Sequence, residues 1–139
     1  MMPDCIFCKI ISGEVPSAKV YEDDKVLAFL DINPVNPGHT LVIPKTHFNN
    51  FSSTTDGDLE SLVVASKKIA AAILRATGHD AFNLTVNNGV EAGQVVPHTH
   101  FHIIPRFNGD GHRLWAGKAY AAGEMEEMGG RIKKYVEEN

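Results

Sequence analysis

Apolar residues recur at helical spacing in one long stretch in the middle of the chain. The stretch follows a polar cluster at residues 52–56 and ends at Gly78, a residue suited to a left-handed helix cap. The positions at i, i+3 and i+4 spacing are Leu59, Leu62, Val63, Ser66, Ile69, Ala70, Ile73 and Leu74. This period predicts one long amphipathic helix with a single buried face.

Five shorter runs predict strands, and they cover residues 18–22, 25–31, 40–43, 82–86 and 98–104. The turn Asp23-Asp24 joins the first two runs into a hairpin, and a short helix from Cys5 to Ser12 precedes them. The sequence therefore predicts an α+β fold, in which five strands form an antiparallel meander and the long helix packs on one face. The other face is then free to carry a functional site.

The chain changes character after Arg106. A glycine-rich turn at residues 108–111 precedes a second helical stretch at residues 121–138, whose apolar stripe consists of Met125, Met128, Ile132 and Tyr135. Such a stripe is typical of packing or of a dimer contact. With 139 residues, 43% of them hydrophobic, the chain is predicted to form one domain over residues 1–139. Its core is expected at about 4–116, and its helical tail at about 117–139.

Charge and hydropathy indicate which classes of partner, nucleic acid or membrane, the chain is expected to bind. A net charge of −4 predicts no general attraction to nucleic acid or to an anionic membrane surface. No apolar run approaches the roughly 18 residues of a membrane span, and the N-terminal residues lack the core of a signal peptide. We therefore expect a cytoplasmic protein with neither nucleic-acid nor membrane partners.

Three histidines alternate with uncharged residues near the end of the core. In a strand, the side chains of His98, His100 and His102 share one face, and the residues between them face the opposite way. Imidazole titrates near neutral pH, so the row offers a nucleophile, a phosphate-binding group and a metal ligand. A half-solvated strand face is the alternative. One zinc ion bound by all three is disfavoured, because strand geometry places the outer two α-carbons about 13 Å apart.

The histidine row and three upstream motifs resemble the histidine triad (HIT) family of nucleotide hydrolases and transferases. The family signature alternates histidine with hydrophobic residues, and the upstream motifs lie at residues 28–34, 37–47 and 87–94. The resemblance covers roughly residues 4–116, which is most of the chain. It implies the HIT fold, a purine nucleotide or nucleotide conjugate as ligand, and a homodimer with nucleotide sites near its interface.

The activity that the resemblance implies is hydrolysis at the α-phosphate of adenosine phosphoramidates, aminoacyl adenylates or dinucleoside polyphosphates. His100 is then the nucleophile that forms a nucleotidyl-histidine intermediate, with its second ring nitrogen donating to the carbonyl of His98. His102 and His39 bind the phosphate oxygens, and this step needs no metal. Two alternatives stay open: a nucleotidyl transferase with an acceptor other than water, and a non-catalytic nucleotide-binding regulatory module.

Substrate-binding residues follow from the same resemblance. They are Asp31 for the ribose hydroxyls, Ile32 and Phe29 for the base, Asn87 for phosphate or ribose, and the loop Gly93-Gln94-Val95 beside the phosphate. On sequence alone, Asp31 is equally compatible with a turn before Asn33-Pro34. Many relatives carry Ser or Thr where this chain has Val95, so a hydroxyl that could assist the leaving group is missing here.

The two cysteines form the motif Cys5-Ile6-Phe7-Cys8, a spacing that suggests zinc or redox chemistry. Redox chemistry of the thioredoxin type is disfavoured because no strand precedes the pair. The resemblance implies that His47 and His98 complete a structural Cys₂His₂ zinc site, which would fasten the N-terminus to the base of the histidine row. Free thiols are the alternative.

Overall fold

The computed structural model describes residue 2 and residues 4–139. The strands are β1 (Lys19–Glu22), β2 (Val26–Leu30), β3 (Thr40–Pro44), β4 (Ala81–Val86) and β5 (Phe101–Arg106). The helices are α1 (Ile6–Ile11), α2 (Asp56–Thr77) and α3 (Glu124–Glu138), and two short 3₁₀ turns lie at Phe51–Ser53 and Val90–Ala92. The predicted α+β class, the five strands and the long helix are confirmed.

All neighbouring strands of the sheet are antiparallel, in the order β1-β2-β3-β5-β4. The predicted meander is therefore correct only for β1, β2 and β3, because β5 lies between β3 and β4. The reason is α2, which separates β3 from β4 by 22 helical residues and leaves no tight turn to pair them. The free edge of β3 is taken by β5, so β1 and β4 are the two edges of the sheet.

Residues on β2 alternate between two buried clusters, one on each face of the sheet. Val26 and Ala28 join the α2 side, whose members are Val42, Leu62, Ala65, Ile69, Ala70, Ile73, Phe101 and Ile103. Leu27 and Phe29 join the opposite side, whose members are Cys5, Phe7, Cys8, Ile10, Leu41 and Ile43. The second face thus buries α1 and both cysteines, and it is the face that carries the candidate site.

Helix α2 begins and ends where the sequence predicts. Thr55 caps its N-terminus by accepting a hydrogen bond from the backbone N–H of Asp58 at 3.2 Å. Gly78 closes it in the left-handed conformation with φ of 75°, and its N–H donates to the carbonyl of Leu74. Val63, predicted on the buried face, is half exposed.

The tail beyond β5 lies largely on the surface of this chain. Helix α3 starts three residues later than predicted and buries none of its residues, so Met125, Ile132 and Tyr135 are more than half exposed. Trp115 is 97% exposed. Among the residues that the structure describes, no helix is both long enough and apolar enough to cross a membrane.

Candidate active site and metal centre

The histidine row is only partly a strand, which corrects the prediction that a strand begins at residue 98. Strand β5 starts at Phe101, and the preceding backbone is held by a loop instead of by a neighbouring strand. The N–H of His98 donates to the carbonyl of Val96, and the N–H of Thr99 donates to the carbonyl of Phe48, both at 2.9 Å. These local bonds replace the ladder that the alternating pattern predicts.

The predicted division of the row between two faces is nevertheless present. The ring of Phe7 packs edge-on against both His98 and His100, with centroid separations of 5.8 and 5.1 Å. Thr99 points to the other side, where its hydroxyl lies 2.7 Å from that of Thr54. The alternation therefore continues through an extended segment that lacks strand pairing.

His100 is held in one tautomer. Its Nδ1–H donates to the backbone carbonyl of His98 at 2.7 Å, which leaves Nε2 with a free lone pair. Burial lowers the pKa of His100, so the ring stays neutral at neutral pH. A neutral imidazole with a fixed free nitrogen has the form that a nucleophile requires.

Three groups in series fix the tautomers of His39 and His102. The N–H of Val35 donates to Nδ1 of His39 at 3.0 Å, so the proton of His39 resides on Nε2. That Nε2–H donates to Nδ1 of His102 at 2.9 Å. Nε2 of His102 therefore carries a proton, and this buried nitrogen has no hydrogen-bond partner among the described residues. It is the one N–H donor of the pair that the described part of the protein leaves without an acceptor.

Electrostatics keep this pair neutral as well. Burial, assisted by the neighbouring His100 and His39, lowers the pKa of His102 to about 4. Burial also lowers the pKa of His39, although Asp31 opposes the shift. The His39–His102 pair therefore offers the site one neutral N–H dipole, at Nε2 of His102, instead of an imidazolium charge.

Asp31 serves as a turn residue in the structure. Its Oδ1 accepts from the N–H of Asn33 at 2.8 Å, while its Oδ2 lies 3.7 Å from Nε2 of His39. The adjacent Ile32 is 91% exposed, whereas Phe29 is buried and packs edge-on against Phe7 at 5.6 Å. The turn role is thus present, and Oδ2 remains directed towards the histidines.

The loop between β4 and the histidine row contains the remaining predicted binding residues. Gly93 has φ of 95°, and a Cβ there would lie 3.4 Å from the side chain of Asn87, so the position favours glycine. Val95 is 89% exposed. The amide of Gln94 is already engaged with the protein, since it accepts from Gly89 and donates to two backbone carbonyls.

Two cysteines and two histidines meet on the α1 face, with donor atoms within 4.8 Å of one another. Nδ1 of His98 lies 3.4 Å from Sγ of Cys5 and 3.7 Å from Sγ of Cys8. Nδ1 of His47 lies 3.4 Å from Sγ of Cys8 and 3.1 Å from Nδ1 of His98. Tetrahedral zinc, with bonds of about 2.0 to 2.3 Å, separates its ligand atoms by roughly 3.3 to 3.8 Å. The three sulfur–nitrogen distances lie in this range and the nitrogen–nitrogen distance of 3.1 Å is slightly shorter, so the donor set suits this ion.

Hydrogen bonds outside the cluster orient both of its histidines. Nε2 of His98 lies 2.9 Å from the carbonyl of Pro44, and Nε2 of His47 lies 3.1 Å from Oδ1 of Asn49. Each Nε2–H therefore donates outwards, which leaves each Nδ1 lone pair facing the thiols. Burial, assisted by His47 and His100, lowers the pKa of His98 to about 4, so the ring is neutral as a metal ligand must be.

Several groups that organise the site could not be found by sequence reasoning. The N–H of Val35 and the carbonyls of Pro44 and His98 are backbone groups, which any residue supplies. Asn49 could have been suspected from its position two residues after His47. The structural engagement of Gln94 carries no sequence signal, because its partners are backbone groups of Gly89, Val96 and the distant Asn49.

Comparison with known proteins agrees with this geometry. The family model described as the HIT domain matches residues 12–109. A HIT-like protein of Methanocaldococcus jannaschii is 55% identical over 114 residues, which cover 82% of this chain and 88% of the relative. An adenylylsulfatase of Arabidopsis thaliana is 50% identical over 116 residues, which cover 84% of this chain and 58% of that longer protein.

Solved structures show the same fold. A Streptococcus mutans protein superposes with a TM-score of 0.93 at 42% identity, covering 98% of this chain and 87% of the other. A zinc-bound histidine triad family protein of Mycobacterium smegmatis superposes with a TM-score of 0.76 at 38% identity, covering 84% of each chain. The family match, the histidine geometry and the shared fold together lead to one conclusion: this chain belongs to the HIT family.

Proposed function

We propose that the protein hydrolyses nucleotide conjugates at the α-phosphate through a covalent nucleotidyl-histidine intermediate on His100. The observation that carries the proposal is the 2.7 Å hydrogen bond from Nδ1–H of His100 to the carbonyl of His98. It fixes the free lone pair on Nε2, and burial keeps the ring neutral. The family match supports nucleotide chemistry in general, and the Arabidopsis relative acts as an adenylylsulfatase.

In the first step, the Nε2 lone pair of His100 attacks the α-phosphorus. The bond from phosphorus to the leaving group breaks, and its electron pair departs with the leaving group. In the second step, water attacks the phosphorus, the bond to Nε2 breaks, and the nucleoside monophosphate is released. The attacking water releases its proton to solvent, and Nε2 of His100 recovers its lone pair.

The His39–His102 pair supports this chemistry by stabilising charge. The unpartnered Nε2–H of His102 donates to a phosphate oxygen, where negative charge grows in the transition state. His39 acts through His102, because its own Nε2–H already donates to Nδ1 of that ring at 2.9 Å. His39 is therefore a positioning residue that sets the tautomer of the donor.

The nucleoside occupies the side of the row near β2. The exposed Ile32 and the edge of the buried Phe29 contact the base, and Oδ2 of Asp31 accepts from ribose hydroxyls, which suits two adjacent donors. Asn87 and the Gly93-Gln94-Val95 loop flank the phosphate. The Gln94 side chain and the backbone N–H groups of Gly93 and Gln94 already have partners in the protein, so among the described residues the N–H of Val95 is the loop donor that is left for the phosphate.

Val95 favours leaving groups that depart as weak bases. An amine needs a proton to leave, whereas sulfate, carboxylate or polyphosphate leaves as a stable anion. The valine side chain has no hydroxyl to assist with a proton, so we expect acidic conjugates to be better substrates than phosphoramidates. Adenylyl sulfate, the substrate class named by the Arabidopsis relative, has such a leaving group.

Zinc is the metal that the Cys5, Cys8, His47 and His98 cluster would hold. It would supply structural cross-linking between α1 and the segment before β5, and it takes no part in the phosphoryl chemistry. The donor set and its spacings support the proposal, as does the zinc-bound relative. Metal analysis of the purified protein should give about one zinc per chain, and the Cys8→Ser variant should lose it.

A homodimer completes the proposal. Strand β4 is an edge, and Phe82 and Leu84 on its α2 face are 41% and 44% exposed. Together with Val63 and Leu74 of α2 they line an apolar cavity of about 330 Å³. An unpaired edge beside exposed apolar side chains suits pairing with a second copy. Sedimentation of wild type and of Leu84→Arg tests this, with a monomeric wild type as the contrary outcome.

The central experiment compares wild type with His100→Ala on adenylyl sulfate, an adenosine phosphoramidate and diadenosine tetraphosphate. We expect the variant to lose turnover by more than about 10⁴-fold, while it still binds AMP. Wild type quenched in alkaline denaturant, in which the phosphorus–nitrogen bond is stable, should carry one adenylyl group on His100 by mass spectrometry. Equal turnover by the variant, or the absence of turnover by wild type on all three substrates, would contradict the proposal.

A further inference from the structure

The His47 side of the metal cluster is joined to the loop of residues 89–96 by a continuous series of hydrogen bonds. Nε2–H of His47 donates to Oδ1 of Asn49 at 3.1 Å. The backbone carbonyl of the same Asn49 accepts from Nε2 of Gln94 at 2.7 Å. Asn49 thus faces the metal ligand with its side chain and the loop with its main chain.

Gln94 closes this connection within its own loop. Its Oε1 accepts from the N–H of Gly89 at 2.9 Å, and its Nε2 also donates to the carbonyl of Val96 at 3.1 Å. The orientation of the amide is fixed by its partners, because an N–H can only donate and two carbonyls can only accept. One side chain therefore holds both ends of the loop and fastens them to Asn49.

A second connection runs through His98. Its side chain faces the thiols through Nδ1, and its backbone carbonyl accepts from Nδ1–H of His100. A movement of His98 at the metal cluster therefore shifts the acceptor that holds the proposed nucleophile. The metal cluster and the phosphate-binding region meet at both of these places.

We propose that Asn49 and Gln94 are positioning residues that couple metal binding to phosphate binding. Asn49 fixes the His47 tautomer that a metal ligand requires. Because Gln94 donates to the carbonyl of Asn49, ordering of residue 49 also orders the loop beside the phosphate. Metal occupancy then strengthens nucleotide binding, and nucleotide strengthens metal binding by the same factor, as linkage requires. The inference rests on the zinc and nucleotide sites of the proposed function.

The experiment measures zinc affinity by competition with a chromophoric chelator, with and without AMP. For wild type, AMP should tighten zinc binding by about 5-fold or more, within the usual range of coupling between sites. Metal-free protein should bind AMP more weakly by the same factor. Both readouts are equilibrium binding and are independent of turnover.

Variants test the roles of Asn49 and Gln94 separately. Asn49→Ala should weaken zinc binding about 10- to 100-fold by removing the acceptor for His47, and Asn49→Asp should restore it because a carboxylate accepts the same proton. Gln94→Ala should abolish the AMP effect while changing zinc affinity in the absence of AMP by less than about 3-fold. Asn88→Ala is the matched control, since the Asn88 side chain accepts from the backbone N–H of Ser52, three residues after Asn49, and does not contact Asn49.

The contrary outcomes are distinct from one another. Wild type that binds zinc and AMP with no mutual effect would overturn the coupling and leave the proposed function intact. Retention of the full AMP effect in Gln94→Ala, or unchanged zinc affinity in Asn49→Ala, would overturn the assigned roles. Wild type that binds neither zinc nor AMP would remove the coupling together with the sites on which it rests.

Discussion

Nε2 of His39 donates to Nδ1 of His102 at 2.9 Å, so two histidines that are 63 residues apart in sequence act as one unit. Of the four ring nitrogens of the pair, only Nε2 of His102 lacks a partner among the described residues, and it carries a proton. His39 fixes the position of the proton on His102 without itself contacting a ligand.

Replacing His39 should reduce turnover through the tautomer of His102. In His39→Ala, Nδ1 of His102 loses its donor, the proton can move to Nδ1, and Nε2 then meets the phosphate as a lone pair. We expect kcat/KM to fall by about 10²- to 10³-fold, the usual effect of losing one donor to a transition-state oxygen. Steady-state kinetics on adenylyl sulfate measures this change.

His79→Ala is the control for that experiment, because His79 stacks on Phe107 outside the site. It should retain wild-type kinetics. A His39→Ala variant with wild-type kcat/KM would show that the tautomer of His102 does not depend on His39.

Introducing a hydroxyl at residue 95 should widen the range of leaving groups. In Val95→Ser, a serine hydroxyl can assist an amine that departs, so phosphoramidate turnover should rise by up to about 10²-fold. Turnover of adenylyl sulfate should change little, because sulfate leaves without a proton. Parallel kinetics on the two substrates gives the ratio, and Val95→Ala serves as the control that alters size alone. An equal gain on both substrates would contradict the role assigned to residue 95.

Acid should destabilise the fold through His102. Its pKa is lowered to about 4 in the folded protein, against about 6.5 when unfolded. Between these values the unfolded chain binds a proton that the folded chain does not, so the free energy of unfolding falls as pH decreases from about 6.5 to 4. The free energy of unfolding, measured by urea denaturation, should therefore fall steeply as the pH is lowered through this range.

The His102→Gln variant isolates this contribution. Its free energy of unfolding should depend less steeply on pH, and the difference from wild type should level off above about pH 6.5. Any effect of acid on the metal cluster is common to both proteins and cancels in the difference. Identical slopes for the two proteins would show that His102 does not titrate as described.

Removing the tail should leave the core folded. Helix α3 buries none of its residues, and Trp115 is almost fully exposed. The free energy of unfolding of a chain that ends at residue 116 should therefore lie within about 1 kcal/mol of the wild-type value, as expected for the loss of exposed groups. Thermal denaturation followed by circular dichroism measures this, with a full-length Trp115→Ala variant as comparison. A loss of more than about 3 kcal/mol would place the tail within the cooperative core.

Local sequence patterns predicted much of the architecture and failed where distant segments meet. The period of α2, its cap at Gly78 and the shared face of the three histidines follow from spacing alone, and the structure contains them. The strand order does not follow, because the pairing of β5 with β3 depends on where α2 returns the chain. The start of β5 at Phe101 was missed because the alternation continues where the ladder is absent.

The candidate site likewise has some features that the sequence predicts and others that it does not. The cysteine pair and the histidine row are visible as motifs, and His47 and His39 were reached through the family resemblance. Their tautomers depend on the N–H of Val35 and the carbonyls of Pro44 and His98, and no side-chain pattern encodes backbone groups. Gln94 was predicted beside the substrate, and in the structure its amide holds the loop together.

The ring of Phe7 gives α1 an importance that its six residues would not suggest. It contacts His98, His100 and Phe29, so it packs against both the Cys₂His₂ cluster and the histidine row. The HIT family match begins at residue 12, beyond this helix. A chain trimmed to those boundaries would keep every triad histidine but lose both thiols and this aromatic ring. Protein engineering on this chain should therefore treat its first eleven residues as part of the enzyme.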